Sequence, residues 1–170
     1  MLLWIVLSVK RVSRGEKMDN DQLTLYITKY GDMVFRVAYS YTKNRPDSQD
    51  IVQDTFLRLY RYEKPFDSEE HTKAWLIRTA VNLAKNNVRS VWVSRRAELD
   101  ESLPAPQHSD SGLSAAMQKL DKKYSIVIYL YYFEGYSTAE IAKLLRLTDS
   151  NVKARLKRGR DKLRGFLSED

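Results

Sequence analysis

The chain has 170 residues, room for one ordinary domain or two small ones, and its 29 Lys+Arg against 22 Asp+Glu give a net charge of +7. The absence of cysteine excludes a disulfide scaffold, every thiolate metal site and a cysteine nucleophile, and two histidines far apart in sequence argue against a His-based zinc centre. The basic balance favours a polyanionic partner, nucleic acid or an anionic membrane, while only 6 Gly and 4 Pro, amid abundant Leu, Lys, Arg, Glu and Ala, point to a mostly helical protein.

Residues 1–17 open with the apolar MLLWIVLSV, followed by Lys10, Arg11, Arg14 and Lys17. A spanning helix needs roughly 20 apolar residues, and a secretory signal carries its positive charge before the apolar run rather than after it. The expectation is a disordered or untranslated leader with Met18 as the true start, since Arg14-Gly15-Glu16 can be encoded by purine-only codons resembling a ribosome-binding site. A membrane-surface anchor is the alternative. Residues 18–97 then show helical periodicity. Pro46 stands where a helix can begin, with Asp47 and Asp50 in its early turns. Val52, Phe56 and Leu59 are the expected buried stripe. The reverse face carries Asp50, Gln53, Asp54, Leu57 and Arg61, two acids and an exposed leucine that suit docking on a protein better than on DNA; an ordinary solvated face is the plainer reading.

A helix over about Thr72–Val91 is expected next, with Leu76, Ala80, Leu83 and Ala84 inside. A second ridge aligns Trp75, Arg78, Asn82, Lys85 and Arg89 at spacings of 3, 4, 3 and 4. Bases that track phosphate, a ring that stacks and an amide that bonds a base edge suit single-stranded nucleic acid, although Trp75 also reads as a core residue. Val91-Trp92-Val93 and Arg95-Arg96 extend this basic, partly aromatic chain. Residues 98–112, ELDESLPAPQHSDSG, hold two prolines and four acids with no base, the composition of a flexible linker.

Residues 113–170 are helical again. Asp121–Phe133 reads as a buried helix stopped near Gly135. Ser137 followed by Glu140 is a capping-box pattern, and Ile141, Leu144 and Leu145 give that short helix its apolar face. Arg146-Leu147 makes a turn, and Thr148 caps a helix beginning at Asp149. Along it Val152, Leu156, Gly159 and Leu163 form one packed stripe. The opposite face centres on Ser150, Ala154 and Lys157, flanked by Asn151, Lys153 and Arg158. Between Lys143 and Arg164 stand nine bases and two acids. Small polar residues at a helix start can approach base edges in a major groove while long bases hold phosphates, so this segment reads as a DNA-binding helix-turn-helix rather than a solvated basic helix.

Three segments in this order, DIVQDTFLRLY (50–60), KAWLIRTAVNLAKNNVR (73–89) and STAEIAKLLRLTDSNVKARLKRGRDKLR (137–164), with an acidic linker before the last, resemble the bacterial RNA polymerase sigma factors. The likeness is to the small extracytoplasmic-function group, which keeps only the second and fourth sigma regions. It implies an all-α protein of two small helical domains, a region 2 bundle over 18–97 and a region 4 helix-turn-helix over 113–170, joined by the flexible acidic linker 98–112. It implies that Asp50, Gln53, Asp54 and Leu57 dock on the β′ clamp helices of core polymerase. Lys73, Trp75, Arg78, Asn82, Lys85 and Arg89 would open the −10 element. Thr148, Ser150, Asn151, Lys153, Ala154, Arg155, Lys157 and Arg158 would read the −35 element.

The resemblance further implies core RNA polymerase, through its clamp helices and β flap, and promoter DNA as partners, restraint by an anti-sigma factor, a cytoplasmic setting, no cofactor, metal or small-molecule substrate, and no enzymatic activity. Three positions depart from the family pattern: Arg146 stands where a glycine is frequent in the turn, Asn86 where an aspartate is, and Gly159 where an alanine is. Two rival readings are a helix-turn-helix regulator with a helical sensing domain, for which no pocket or phosphoacceptor is visible, and a magnesium enzyme using Asp47, Asp50 and Asp54. Against the latter, Asp47 lies to one side of the ridge and no further carboxylate joins them.

Overall fold

The computed structural model describes residues 18–95 and 112–168, with side chains through Asn87 in the first stretch and, Ser114 apart, throughout the second. The expectations for the leader and for most of the linker lie outside the described residues. Those described form seven helices and no strand, and they divide into two compact units, one holding the chain up to Tyr39 with Asn44–Ala84, the other Ser40–Lys43 with Lys85 onward.

Three helices build the first unit. In α1, Asn20–Thr42, Tyr30, Met33, Val34, Val37 and Ala38 are buried, the i, i+3, i+4, i+7, i+8 series of a helix with one face inside. The Gln22 N–H donates to the Asp19 carboxylate at 2.8 Å, capping the start. Lys43, at φ 53°, ends the helix in the left-handed region. Asn44 immediately caps α2, Arg45–Tyr60, accepting from the Asp47 N–H, and Pro46 lies in its first turn, where a fixed φ favours helix and no N–H is lost.

The buried stripe of α2 differs from the expected one. Ile51, Phe56 and Leu59 are buried together with Ser48 and Thr55, whereas Val52 is only half-buried. Hydropathy misses Ser48 and Thr55 because their hydroxyls are satisfied locally: Ser48 donates to the Asn44 carbonyl at 2.6 Å and Thr55 to the Ile51 carbonyl at 2.7 Å, which makes burial inexpensive.

Helix α3, Glu69–Arg95, starts three residues before the expected Thr72. Ser68 supplies the cap, its hydroxyl accepting the His71 N–H at 3.1 Å, and Glu69 and Glu70 face the positive end of the helix. Leu76, Ala80 and Ala84 are buried as expected, joined by Ile77 and Val81, while Leu83 is half-buried. Lys29 of α1 reaches Glu69 at 2.8 Å, a link between exposed side chains that orients more than it stabilises.

The second unit assembles α4, Gly112–Lys119, α5, Lys122–Tyr132, α6, Thr138–Leu145, and α7, Asp149–Ser168, with α7 packed against all three others. Tyr124 through Leu130 of α5 are all buried. Gly135, at φ 74°, lets the Tyr136 N–H return to the Leu130 carbonyl at 3.0 Å, and this turn releases the chain toward α6. The expected capping box forms: the Glu140 carboxylate accepts from the Ser137 N–H at 2.8 Å and from the Ser137 hydroxyl at 2.6 Å, and the Glu140 N–H donates to the same hydroxyl oxygen at 3.3 Å. Arg146 closes α6 in the left-handed conformation, φ 57° and ψ 52°, and Thr148 caps α7 by accepting the Asn151 N–H at 3.2 Å.

Val152, Leu156, Gly159 and Leu163 are the buried residues of α7, as the sequence stripe requires. Gly159 has a packing reason. A Cβ built there would lie 3.1 Å from Ile128 Cγ1, 3.3 Å from Ile128 Cδ1 and 3.3 Å from Tyr124 Cβ, so glycine is what lets α7 approach α5.

Two stability outcomes follow from this packing. Gly159→Ala gains roughly 1 kcal/mol of helix propensity but must displace Ile128, an overpacking cost of about 1–3 kcal/mol. Denaturant unfolding should therefore show no net gain, and a full gain would mean the helices yield freely. Ser137→Ala should destabilise by about 1 kcal/mol. Its hydroxyl hydrogen bond is the main reason the Glu140 carboxyl sits below its ordinary range, so the box contributes at neutral pH and fades as pH falls through that lowered value. The difference between wild type and variant should accordingly shrink on acidification.

Candidate functional site

Three surfaces carry the residues singled out in the sequence. The first is the outer face of α2. Asp50, Gln53, Asp54 and Leu57 are all exposed, and at i, i+3, i+4 and i+7 they share one side of the helix. Leu57 keeps 41% of its surface in water, and among the described residues no base pairs with Asp50 or Asp54. The face is thus a small apolar spot ringed by open acceptors. No three His, Asp or Glu side chains among the described residues gather as a metal ion would require.

The second surface is the ridge of α3. Arg78 and Asn82 are exposed and Lys73 is half-buried. Lys85, one turn further along the same helix, is exposed but falls in the other compact unit, and the Arg89 side chain lies outside the described residues. Trp75 stands differently. It is half-buried, its ring centroid 4.9 Å from that of Tyr62 and 5.9 Å from that of Phe66. Tyr62 stacks on Phe66 at 5.0 Å, and His71 meets the edge of Phe66 at 5.4 Å.

The loop between α2 and α3 therefore folds its aromatics onto the start of the ridge. Offset and edge-on pairs of this kind add roughly 0.5–1.5 kcal/mol beyond area burial, and they hold the indole in a fixed orientation. Sequence reasoning missed Tyr62, Phe66 and His71. The available signal was the pairing of aromatics about Pro65 in RYEKPFDS, directly before the helix that bears Trp75.

The third surface belongs to α7. Ser150, Asn151, Ala154, Lys157 and Arg158 are exposed and Arg155 is half-buried, opposite the stripe packed on α5. Two of the expected groups already have local work. Thr148 spends its hydroxyl oxygen on the Asn151 N–H and lies 3.1 Å from the Ser150 hydroxyl. Lys153 pairs with Asp149 at 2.7 Å and keeps the Asp149 carboxyl below its ordinary range. Lys157 and Arg158, by contrast, project with no acid beside them among the described residues.

The same unit presents a broad apolar groove of about 650 Å³ between α4, α5 and α7, lined by Leu113, Met117, Tyr132, Phe133, Leu163 and Leu167. The Arg160 guanidinium donates to the Tyr132 hydroxyl at its edge, at 3.3 Å. Among the described residues no helix is long and apolar enough to cross a membrane.

Comparison with known proteins converges on one family. The family model for sigma-70 region 2 matches residues 26–93, and that for sigma-70 region 4 matches residues 112–163. The chain is 29% identical to the extracytoplasmic-function RNA polymerase sigma factor SigW of Bacillus subtilis, over 94% of this chain and 96% of SigW. It resembles the solved structure of CnrH in complex with the cytosolic domain of CnrY at a TM-score of 0.61 and 25% identity, covering 89% of this chain and 91% of CnrH. It shares its fold with the sigma factor RpoE from Bartonella quintana, solved with the anti-sigma factor NepR, at a TM-score of 0.71 and 19% identity, covering 86% and 96% of the two chains. With both conserved sigma regions matched in order and one relative aligned over nearly its whole length, the chain belongs to the extracytoplasmic-function group of sigma-70 factors.

Proposed function

We propose that this sigma factor works in the cytoplasm, binds core RNA polymerase and directs it to promoters by contacting the −10 and −35 elements with different surfaces, itself catalysing no reaction. The observation that carries the assignment is the division of α7. One stripe, Val152 to Leu163, is buried, and the opposite face presents short side chains at Ser150, Asn151 and Ala154 beside the long bases Lys157 and Arg158. That is what a helix needs to enter a major groove: small residues where the backbone comes close to base edges, and cations where phosphates flank it.

The outer face of α2, with Asp50, Gln53, Asp54 and Leu57, is the proposed docking surface for the β′ clamp helices. A desolvated leucine supplies area there and the two acids supply charge complementarity. The apolar groove beside Tyr132 and Phe133 offers surface for contact with the β flap. On α3, Arg78 and Asn82, together with Lys73, Lys85 and Arg89 along the helix, are the proposed contacts to the −10 strand. Unstacking duplex costs a few kcal/mol per step, which phosphate contacts and stacking against Trp75 would offset.

Two weak contacts tethered in one chain become a selective one through effective concentration. The residues 98–112 serve in this reading as the tether. An anti-sigma protein that covers the same surfaces is the proposed restraint, as NepR is bound to RpoE in the solved complex.

Run-off transcription with reconstituted holoenzyme on genomic fragments tests the assignment directly. Initiation at a defined set of sites is expected, and a helix-turn-helix regulator without polymerase affinity would give none. Asp54→Arg should weaken core binding roughly tenfold or more, whereas Lys157→Ala should leave core binding intact and weaken promoter binding by about tenfold. An inverted pattern would exchange the two surfaces. Asn82→Ala, at an exposed position, should preserve the closed complex and reduce permanganate reactivity of the −10 thymines.

A further inference from the structure

Arg146 is the position in the helix-turn-helix where backbone and residue type conflict. Its φ of 57° and ψ of 52° lie in the left-handed region that glycine enters without cost and a long side chain does not. The conformation is required: the Leu147 N–H reaches the Ala142 carbonyl at 2.9 Å, and the Arg146 N–H turns to the same oxygen, which closes α6. Arginine is not required. A cation does gain from the negative end of a helix, but Lys143 already occupies the last turn of α6 in an unstrained helical conformation. Strain kept at an exposed site, where a smaller residue would relieve it, points to function.

The pairing of the other bases of this unit narrows that function. Lys153 is tied to Asp149, Lys162 to Asp121, Arg164 to Asp161 and Arg160 to Tyr132. Arg146 is exposed, and no carboxylate among the described residues pairs with it. It stands two residues before Thr148, the cap of the helix that presents the groove-reading face. In a helix-turn-helix the first helix crosses the nucleic-acid backbone and the second enters the groove, so the turn joining them lies toward the edge of the groove.

From this geometry we infer that Arg146 is a phosphate-binding residue: its guanidinium grips a backbone phosphate bordering the −35 element and adds affinity and register without reading sequence. This rests on α7 being the duplex-binding helix.

The experiment measures holoenzyme binding to a promoter duplex and to a −35-scrambled duplex across a salt series, for wild type, Arg146→Gly, Arg146→Lys and the control Lys162→Gln. Arg146→Gly should weaken binding roughly three- to tenfold on both duplexes and reduce the slope of log K against log salt by about 0.9, the value of one phosphate contact. Its unfolding midpoint should be unchanged or higher. Arg146→Lys should retain the slope, and Lys162→Gln should leave it within error.

If Arg146→Gly keeps the wild-type slope, or if Lys162→Gln lowers the slope equally, the phosphate contact is wrong. A lowered unfolding midpoint with unaltered binding would make Arg146 a helix-end stabiliser instead. Should wild-type holoenzyme fail to distinguish the two duplexes at all, the reading of α7 fails with it, an outcome separate from the others because it appears before any substitution.

Discussion

The contact of α7 with α5 at Gly159 governs the second unit. A helix that fills a core and, in the proposed function, also reads a duplex has only its rotational phase with which to keep the two tasks apart, since 3.6 residues per turn fix which side chains share a side. Seating Val152, Leu156 and Leu163 against the other helices places Ser150, Ala154 and Lys157 outward. Gly159 sets the depth of that seat. With Ile128 and Tyr124 within 3.3 Å of where a Cβ would stand, a larger residue has room only if these side chains of α5 give way. The residue with the poorest helix propensity short of proline is therefore retained in the middle of the helix for reach, not for flexibility.

Trp75 shows a related compromise in the first unit. A ring offered to an unstacked base has to be accessible, yet a freely rotating indole loses entropy on stacking. Packing one part of Trp75 on Tyr62 and Phe66 limits its rotamers before any ligand arrives, while its half-buried state leaves part of the surface open. Trp75 is not a core residue, and in the proposed role its packing on the half-buried Tyr62 and Phe66 would preorganise it for stacking. The His71 N–H bound to Ser68 ties the end of the same loop to the first turn of α3, beside the aromatic cluster.

Charge distinguishes the outer face of α2 from that of α7 by sign. The α2 face is acidic and unpaired, as suits a protein surface carrying complementary charge. Along α7, several bases are neutralised by nearby acids and only a subset projects freely. Counting charge along the sequence therefore overstates what the helix offers to DNA. Lys153 must break or share its 2.7 Å pair with Asp149 before it can meet a phosphate, and the net benefit of that exchange is small in water.

Sequence alone determined the helical class, the capping box at Ser137 and Glu140, the stripe of α7 and the exposed face of α2, because each depends on local periodicity or on hydrogen bonds within one turn. The family likeness, carried by three short segments, was equally legible. Tertiary structure decided what depends on neighbours distant in the chain: that Thr55 rather than Val52 lies inside α2, that Leu83 is half-exposed, that Tyr62 and Phe66 close on Trp75, and that Gly159 marks a close approach. A residue's hydropathy cannot say whether its hydroxyl finds a carbonyl one turn back, nor whether another helix leaves room for a Cβ. Arg146 belongs to both levels, since the turn was evident from its surroundings but the strained left-handed backbone that an arginine accepts there became visible only once α6 and α7 were folded against each other.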